Sequence, residues 1–382
     1  MLLSAYLAIL FLLPIFHTYI VYPTYLWLRR PGKSSLQTPP SGPFKTAIIM
    51  AARNEAMVIE TKIRSIFENS SMSPTEVWVG SDASTDNTVE ILQRLSSEFP
   101  SLQFKHFENR LGKSGVLNAL VIETQCDFLV CTDANVIWQP NTLEALLTTL
   151  HSAPNVQMVA AQVNASNKFE GGIASEENAY LNLENKIKKA ESRLWNLVMG
   201  VEGGCFLIRK SSWVPIPEGT LVDDFFLNMS VLLNGGHVLW AEHAQCMEAL
   251  SSSSEQQYER KKRISQGNLQ NLKRFLPRVF KPFWPLGFAF LSHKVFRWIS
   301  PQLFLFALLF SVWPAWYGMD FHRWFISLSL VFWILAESPL ARFKPFKGLR
   351  HFYKMNLAML HGFMLYVNNR QQHVWEPTNR NP

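Results

Sequence analysis

Apolar residues dominate the N-terminal end of the chain. Leu2–Leu28 contains no Asp, Glu, Lys or Arg. At a rise of about 1.5 Å per residue, such a helix is long enough to cross a hydrocarbon core about 30 Å thick. A cleaved signal peptide is the alternative, but no basic segment precedes Leu2 and the run exceeds the usual apolar length of about 7 to 15 residues. The pattern predicts an uncleaved anchor within residues 1–30.

A second apolar region lies near the other end. Residues 299–319 and 324–340 are rich in Phe, Leu, Ile, Val and Trp. Residues 352–367 are shorter and interrupted by polar residues, so crossing the membrane and lying in its interface are both open for them. We predict a membrane region over residues 299–370, with two spans plus this uncertain segment.

Basic residues flank the predicted spans on one side. The clusters are Arg29, Arg30 and Lys33, then Lys294 and Arg297, and then Arg342, Lys344, Lys347 and Arg350. Such clusters mark the cytoplasmic face of a membrane protein. We therefore expect a multi-pass protein of the inner (cytoplasmic) membrane, with the middle of the chain in the cytoplasm.

Between the two apolar regions, strand and helix patterns alternate. Short apolar runs such as 76–80 and 128–132 are separated by amphipathic stretches such as 55–69 and 87–98. This alternation predicts a parallel sheet with helices on both faces. After residue 164 it stops, and a long charged helix is predicted to follow.

The domain predicted from this alternation covers residues 44–275. A linker rich in Pro, Ser and Gly precedes it at 31–43. An aromatic, proline-interrupted segment follows it at 278–298, which is typical of an amphipathic helix in the membrane interface.

The chain is basic, with a net charge of +7 and a pI of about 9.2. Its cations cluster beside the predicted spans, and no motif combining basic and aromatic residues indicates nucleic acid. Membrane lipids with anionic headgroups are therefore the expected partner, and nucleic acid is not.

Acidic residues follow the predicted strands in a distinctive order. Asp82 in SDASTD and Asp133 in TDAN each follow a short apolar run. The carboxyl ends of parallel strands form one edge of a sheet, where ligands bind. Further along, Asp223 and Asp224 form an acidic pair in LVDDFF. Carboxylates at such an edge suit a nucleotide, a divalent metal ion and a general base.

These residues, together with ARNE at 52–55, GKSGVLNA at 112–119 and VWEPTNR at 374–380, resemble the membrane-bound glycosyltransferases of family 2. The family includes the catalytic subunits of cellulose synthase, hyaluronan synthase and poly-N-acetylglucosamine synthase. The resemblance implies a GT-A-type, Rossmann-like α/β domain with N- and C-terminal transmembrane helices. It also implies inverting transfer of a sugar from a nucleotide-diphosphate sugar, with UDP expected, to a hydroxyl of a lipid or saccharide acceptor in cell-surface polysaccharide or glycolipid synthesis.

The sequence leaves two alternative functions open. A processive polysaccharide synthase is the nearer one. A catalytically silent membrane scaffold that kept the fold is the other, and the presence of Asp82, Asp133 and Asp224 argues against it.

Three residues near the first two strand ends are predicted to bind the nucleotide. Arg53 and Glu55 lie in the first turn after a strand, although capping of the next helix by Asn54 and Glu55 explains that turn equally well. Asp82 is expected to accept a hydrogen bond from the uracil imide or a ribose hydroxyl, with an Asx-turn as its structural alternative. The resemblance favours nucleotide binding.

Asp133 is the predicted metal ligand, because a divalent cation held by one or two carboxylates and substrate phosphates fits the tip of a buried strand. The family pattern DxD becomes DAN here, so Asn135 offers an amide oxygen in place of a second carboxylate. We expect Mg²⁺ or Mn²⁺, bound with lower affinity. Lys113 matches the family's GK(S/A)GALN segment and is expected to contact the donor; a solvated loop lysine is the alternative.

Asp223 and Asp224 match the family's acidic pair, whose second member is the general base. The acceptor hydroxyl must lose a proton as it attacks the anomeric carbon, and the resemblance gives this role to Asp224. Adjacent helical positions diverge by about 100°, so only one of the two is expected to face the acceptor. Capping of the following helix is the alternative for the pair.

Arg260 and Arg263 lie three positions apart in ERKKRISQG. The family has QxxRW or RxxR here, a segment that holds the leaving diphosphate, and the guanidinium fork suits phosphate. Ile264 stands where the QxxRW form has Trp. A basic helix on an anionic membrane surface is the alternative, and we assign Lys261 and Lys262 to it.

Overall fold

The computed structural model describes residues 1–29, 44–70, 74–153, 155–166, 173–248 and 254–370, without the side chains of 173–180, 342, 344 and 345. The predicted linker at 31–43 and the VWEPTNR motif lie outside these residues. The chain divides into a helical unit and a sheet unit. Of the described residues, the helical unit contains 1–29, 173–179 and 254–370, and the sheet unit contains 44–70, 74–153, 155–166 and 180–248.

Regular elements follow one another closely along the described residues. The strands are β1 (Thr46–Ala52), β2 (Glu76–Asp82), β3 (Leu102–Phe107), β4 (Phe128–Thr132), β5 (Val136–Trp138), β6 (Val156–Ala165), β7 (Cys205–Arg209) and β8 (His237–Glu248). The α-helices are α1 (Leu2–Phe16), α2 (Tyr22–Leu28), α3 (Ile59–Glu68), α4 (Thr88–Glu98), α5 (Gly112–Glu123), α6 (Thr142–Leu150), α7 (Ile173–Trp195), α8 (Asp223–Leu233), α9 (Ser254–Phe275), α10 (Phe296–Trp298), α11 (Ser300–Trp316), α12 (Asp320–Glu337) and α13 (Lys344–Val367).

The strands form one mixed sheet in the order β3-β2-β1-β4-β7-β6-β8-β5. β3, β2, β1 and β4 are mutually parallel, which confirms the sheet predicted for the first half of the domain. β7 then runs antiparallel to both β4 and β6, and β5 antiparallel to β8. The sequence analysis assigned no element to β5 or β8, because three residues are too few for periodicity and β8 mixes charged and apolar residues at irregular spacing.

Hydrophobic burial explains why the central strands form. Every residue of β1 and β4 is buried, as expected for strands covered by helices on both faces. Ile48, Met50, Val79 and Val130 have no solvent exposure. Full burial of such side chains contributes about 1.5–3 kcal/mol each. This rigid core fixes the positions at which β1, β2 and β4 end, and therefore the loops that follow them.

The helical unit contains the predicted membrane segments. A π-helical turn at His17–Val21 joins α1 to α2, and Phe11 of α1 stacks against Phe306 and Phe310 of α11 at centroid distances of 5.3 and 5.6 Å. Among the described helices, Leu2–Leu28 is long and apolar enough to cross a membrane by itself.

A second crossing segment is present only if a bent pair of helices is counted as one. This pair, Phe283–Trp298 and Ser300–Trp316, meets at 65° and covers part of the predicted interfacial segment and the first predicted C-terminal span. The later predicted spans fall on α12 and α13. How often the chain crosses a membrane stays a prediction.

Candidate active site

Five segments of the sheet unit reach the same edge of the sheet. β1, β2 and β4 end there, and β7 begins there because Cys205 pairs with Thr132 in the antiparallel register. The loop leading into α5 also reaches this edge, because the Asp82 carboxylate at the end of β2 accepts hydrogen bonds from its backbone. The structure therefore brings the predicted strand-end carboxylates to one place.

The Asp82 carboxylate holds the N-terminus of α5, whose second residue is Lys113. Asp82 is fully buried, and its two oxygens accept hydrogen bonds from the backbone N–H groups of Leu111 (2.7 Å) and Gly112 (3.2 Å). Gly112 has a φ of +69°, a conformation that favours glycine. Each carboxylate oxygen has a second lone pair, so contact with the nucleotide stays a prediction beside this structural role.

The turn after β1 is fastened to the turn after β2. Arg53 donates a hydrogen bond to the backbone oxygen of Asp82 at 3.2 Å. The Asn54 side chain accepts from the Thr85 N–H at 2.8 Å, and the Glu55 N–H donates to the Thr88 hydroxyl at 2.9 Å. These contacts hold both turns as one surface at the carboxyl edge. The predicted nucleotide contacts of Arg53 and Glu55 stay predictions.

Lys113 lies among the three predicted catalytic and metal-binding carboxylates. Its amino group is 2.8 Å from Asp133 Oδ1 and 3.5 Å from Asp223 Oδ2. Burial lowers the pKa of Lys113, but the carboxylates of Asp133, Asp223 and Asp224 outweigh burial and raise it above its usual value. One ammonium therefore faces three carboxylates. We call these four residues the acidic centre.

The GKSGVLNA motif holds Lys113 against the acidic pair. Ser114 donates to the backbone oxygen of Thr220 at 3.1 Å. The Asn118 side chain both donates to the Ile216 oxygen (2.8 Å) and accepts from the Ile216 N–H (3.0 Å). Both partners lie in the segment that leads into α8, whose first two residues are Asp223 and Asp224. The motif thus fixes the distance between the lysine and the pair.

Asp224 has the environment of a general base. Burial raises its pKa from the usual 3.8 to about 6, the Asp223 carboxylate acts in the same direction, and Lys113 opposes both. A base with a pKa near the working pH is best matched to proton transfer. Asp224 Oδ1 accepts a hydrogen bond from the Phe225 N–H at 2.7 Å, so the carboxylate is also held in place.

Gly203 leaves room for the acidic centre. A Cβ atom at this position would lie 3.1 Å from Asp224 Oδ2 and 3.3 Å from Lys113 Nζ. Both contacts are tighter than ordinary van der Waals distances. A side chain here would therefore press into the space between the predicted base and the lysine, which explains the glycine in the VEGGC segment.

The residues present fit a divalent cation that binds together with substrate phosphates. Among the residues that the structure describes, no group of three or more His, Cys, Asp or Glu side chains could hold a metal ion by itself. Asp133, whose side chain is 35% exposed, offers a carboxylate, and Asn135 directs its amide nitrogen toward Glu248 at 3.4 Å, so its oxygen is available. Mg²⁺ is commonly held by one or two protein oxygens plus phosphates. The assignment of Asp133 and Asn135 stays a prediction.

Arg260 and Arg263 lie on α9, in the helical unit. Their predicted contact with the donor diphosphate stays a prediction. Lys262 does not fit the lipid-surface interpretation, because its side chain is 11% exposed and forms an ion pair with Glu259. Lys261 is partly exposed and remains compatible with it.

The sequence analysis missed Lys62, a fully buried lysine of α3 that hydrogen-bonds to the two residues flanking the DAN turn. The signal was present in the helical periodicity. Ile59, Ile63 and Ile66 form the buried face of α3, and Lys62 falls on the same face. A charged residue at an apolar position of an amphipathic helix is the pattern to look for.

Comparison with known proteins agrees with this geometry. Residues 47–214 match the sequence profile of "Glycosyl transferase family 2". The poly-beta-1,6-N-acetyl-D-glucosamine synthase of Staphylococcus aureus (strain COL) is 22% identical over 231 residues, which cover 59% of this chain and 55% of that protein. Glycosyltransferase AglD of Haloferax volcanii is 31% identical over 112 residues, covering 28% of this chain and 18% of that protein. The chain therefore spans about half, or less, of the length of these curated relatives.

A solved structure shares the fold over nearly the whole chain. The mannosyltransferase PcManGT from Pyrobaculum calidifontis, solved with GDP-Man and Mn²⁺, has a TM-score of 0.73 and 18% identity, and the match covers 96% of this chain and 100% of that one. At this identity the likeness shows the fold alone, and it confirms the GT-A-like α/β fold. The matched profile identifies residues 47–214 as a glycosyltransferase family 2 domain.

Proposed function

We propose that the protein transfers a sugar, with inversion, from a nucleotide-diphosphate sugar to a hydroxyl of a lipid or saccharide acceptor. The single observation that carries this proposal is the acidic centre, in which Lys113 lies 2.8 Å from Asp133 and 3.5 Å from Asp223, with Asp224 beside them. This arrangement provides a cation, an exposed carboxylate and a carboxyl group of raised pKa within one site.

In this proposal Asp224 takes the proton of the acceptor hydroxyl as its oxygen attacks the anomeric carbon. The bond to the nucleoside diphosphate breaks on the opposite face of the sugar, and the diphosphate leaves with the bonding electron pair. The raised pKa of Asp224 suits this role. Asp223, 5% exposed, orients Lys113 through its ion pair.

The donor's diphosphate would meet net negative charge unless cations accompany it. Lys113 supplies one positive charge. Asp133 and Asn135 would hold Mg²⁺ or Mn²⁺, which when bound would neutralise charge on the diphosphate. Arg53 and Glu55 lie in the turn that would receive the nucleoside, and the buried Asp82 would contact it through the remaining lone pairs of its carboxylate.

The acceptor is proposed to lie at the cytoplasmic side of a membrane. The apolar helix Leu2–Leu28 and the basic residues beside the predicted spans support this location. The likeness to poly-beta-1,6-N-acetyl-D-glucosamine synthase supports a saccharide acceptor and a role in cell-surface polysaccharide synthesis. It also keeps a processive synthase as the second candidate. Ile264 in place of the family's Trp favours single addition.

A panel of labelled donors tests the proposal. The detergent-solubilised protein is incubated with UDP-linked and GDP-linked sugars, Mn²⁺ and a native lipid extract; the GDP donors are included because PcManGT was solved with GDP-Man. We expect label to enter a lipid or saccharide product from one donor, with UDP-linked sugars preferred. Product size separates one addition from polymerisation. Nucleotide binding without transfer from any donor would instead favour a silent scaffold.

A further inference from the structure

Lys62 is a buried charge that the proposed reaction does not yet use. It has no solvent exposure, and none of the carboxylates that the structure describes lies within ion-pair distance of it. Its ammonium group donates to the Thr132 hydroxyl at 2.8 Å and to the backbone oxygen of Val136 at 2.5 Å. It also lies 5.1 Å from the centre of the Trp138 ring.

The two hydrogen-bond acceptors of Lys62 flank the DAN turn. Thr132 is the last residue of β4 and Val136 the first of β5, so residues 133–135 form the entire connection. The Val136 N–H donates to the Asp133 oxygen at 3.3 Å and closes this turn. One ammonium group therefore joins the beginning and the end of the segment that carries Asp133 and Asn135.

The other side of the turn is fixed by β7. The Thr132 hydroxyl donates to the Gly204 oxygen at 2.8 Å, and the Asp133 N–H donates to the same oxygen at 3.3 Å. The hydroxyl of Thr132 thus accepts from Lys62 and donates to Gly204, which links the lysine to the strand that begins at the acidic centre.

Further polar contacts extend this support along α3. Ser65 accepts from the Trp138 N–H at 3.3 Å, and Asn69 donates to the Trp138 oxygen at 2.9 Å. Lys62 and Ser65 share one face of α3 and Asn69 directly follows the helix, so the three residues continue a helical spacing of three and four. β5 pairs with β8 through one edge. The backbone of β5 also forms hydrogen bonds with the side chains of Lys62, Ser65 and Asn69, which support the short strand from its other side.

Burial of an ammonium without a carboxylate partner opposes folding, and an apolar side chain of equal length would fill the same space without this cost. Burial lowers the pKa of Lys62 to about 8, so the group remains protonated at neutral pH. Its charge is held between the last residue before the DAN turn and the first residue after it. A role in packing alone does not explain why a lysine occupies this buried position. A role in orienting the DAN turn explains both the charge of Lys62 and its hydrogen bonds to Thr132 and Val136.

We propose that Lys62 is a positioning residue for glycosyl transfer: by joining Thr132 to Val136, it holds the Asp133–Asn135 turn in the geometry that binds a divalent cation and the donor diphosphate. This inference rests on the proposed function of the site. Support for metal ligands from neighbouring groups typically changes metal affinity or activity about 10- to 100-fold.

The test compares Lys62→Met, Thr132→Val and the double variant with the parent protein. Methionine keeps the length of the lysine stem, and valine keeps the shape of threonine without its hydroxyl. Thr46→Val is the matched control. Thr46 is also a buried threonine, but it is the first residue of β1 and therefore lies at the end of that strand away from the acidic centre. The readouts are Mn²⁺ binding by electron paramagnetic resonance in the presence of UDP, the Mn²⁺ concentration giving half-maximal transfer, and the thermal unfolding midpoint.

Both single variants are expected to weaken Mn²⁺ binding in the UDP complex roughly 10-fold or more, with an unchanged or higher unfolding midpoint for Lys62→Met. The loss in the double variant should fall short of the sum of the two single losses, because both single variants remove the hydrogen bond between Lys62 and Thr132. Mn²⁺ affinity equal to that of Thr46→Val in both single variants would overturn the proposal. If Lys62→Met fails to fold, Thr132→Val alone decides. Absence of transfer by the parent protein would reject the proposed function. The Mn²⁺ binding measurement does not depend on transfer, so it would still test whether Lys62 supports the metal site.

Discussion

The amino group of Lys113 lies 2.8 Å from Asp133 Oδ1, so the lysine at the start of α5 and the predicted metal ligand form an ion pair. The pair is partly shielded, since the lysine side chain is 19% exposed. A cation and a diphosphate that bind here must share Asp133 with Lys113. The lysine is therefore part of the site's charge balance.

Lys113→Met should change the pH dependence of transfer as well as its rate. Asp224 must be ionised to act as a base, and its pKa of about 6 predicts that kcat/KM falls as the pH drops through that value. Lys113 lowers this pKa, so its removal should shift the acid limb to higher pH. A kcat/KM profile between pH 5 and 8 measures the shift. Lys105→Met, which breaks an exposed pair with Glu123, is the control and should leave the limb in place.

Gly203→Ala should reduce transfer without unfolding the protein. The added methyl group would lie about 3.1 Å from Asp224 Oδ2 and press the base away from Lys113. Gly235→Ala is the control, which should lower stability but not turnover. Gly235 has a φ of +79°, so alanine there costs about 1–2 kcal/mol of stability, and the open space around it means that the added methyl group contacts no other group. Turnover and unfolding midpoint are measured for both. Full turnover in Gly203→Ala would contradict the assigned crowding.

Substitutions in the DAN turn, at Asp133 and Asn135, should change the dependence of transfer on a divalent metal ion. Asp133→Ala is expected to abolish transfer, as EDTA should in the parent protein, because the remaining amide oxygen of Asn135 cannot hold a divalent ion alone. Asn135→Asp restores a second carboxylate and should lower the Mn²⁺ or Mg²⁺ concentration needed for half-maximal transfer. Metal titrations of initial rate supply the measurement. Undiminished transfer in the presence of chelator would contradict the assignment of Asp133 and Asn135 as metal ligands.

The basic helix α9 allows a comparison of two neighbouring cations. Arg263→Ala should reduce turnover far more than Lys261→Ala, because Arg263 is assigned to the donor diphosphate and Lys261 to the membrane surface. Rates are measured in detergent and in vesicles containing anionic lipid. Equal losses that anionic lipid relieves in both variants would support the surface interpretation for both residues.

The sequence predicted the parallel half of the sheet because short apolar runs mark its strands, most clearly β1 and β4, in which every residue is buried. The strand predicted at 128–132 is β4, and the helix predicted beside the acidic pair is α8. The mixed half was not predicted, because β5 has three residues and β8 obtains its partners from distant parts of the chain. Pairing over such separations leaves no periodic signal in a local window.

The site shows the same division. The choice of Asp133 came from its place at the end of a buried apolar strand, and the choice of Asp223 and Asp224 came from the family resemblance. The backbone contacts of Asp82 and the burial of Lys62 were not predicted, because both depend on loops that come from elsewhere in the chain. The motifs indicated which residues lie in the site. The hydrogen bonds by which Asp82 and Lys62 position the site residues are visible only in the folded chain.

The measurement that tests the account most directly compares Asp224→Asn with Asp223→Asn. Asparagine keeps the shape of the carboxylate but cannot take a proton at neutral pH, so Asp224→Asn should lower kcat roughly 10²- to 10⁴-fold while nucleotide binding, measured by calorimetry, survives. Asp223→Asn should have a milder effect through the altered ion pair with Lys113. A larger loss in Asp223→Asn would reverse the assignment within the pair. Normal turnover in both variants would contradict the claim that the acidic centre is the catalytic site.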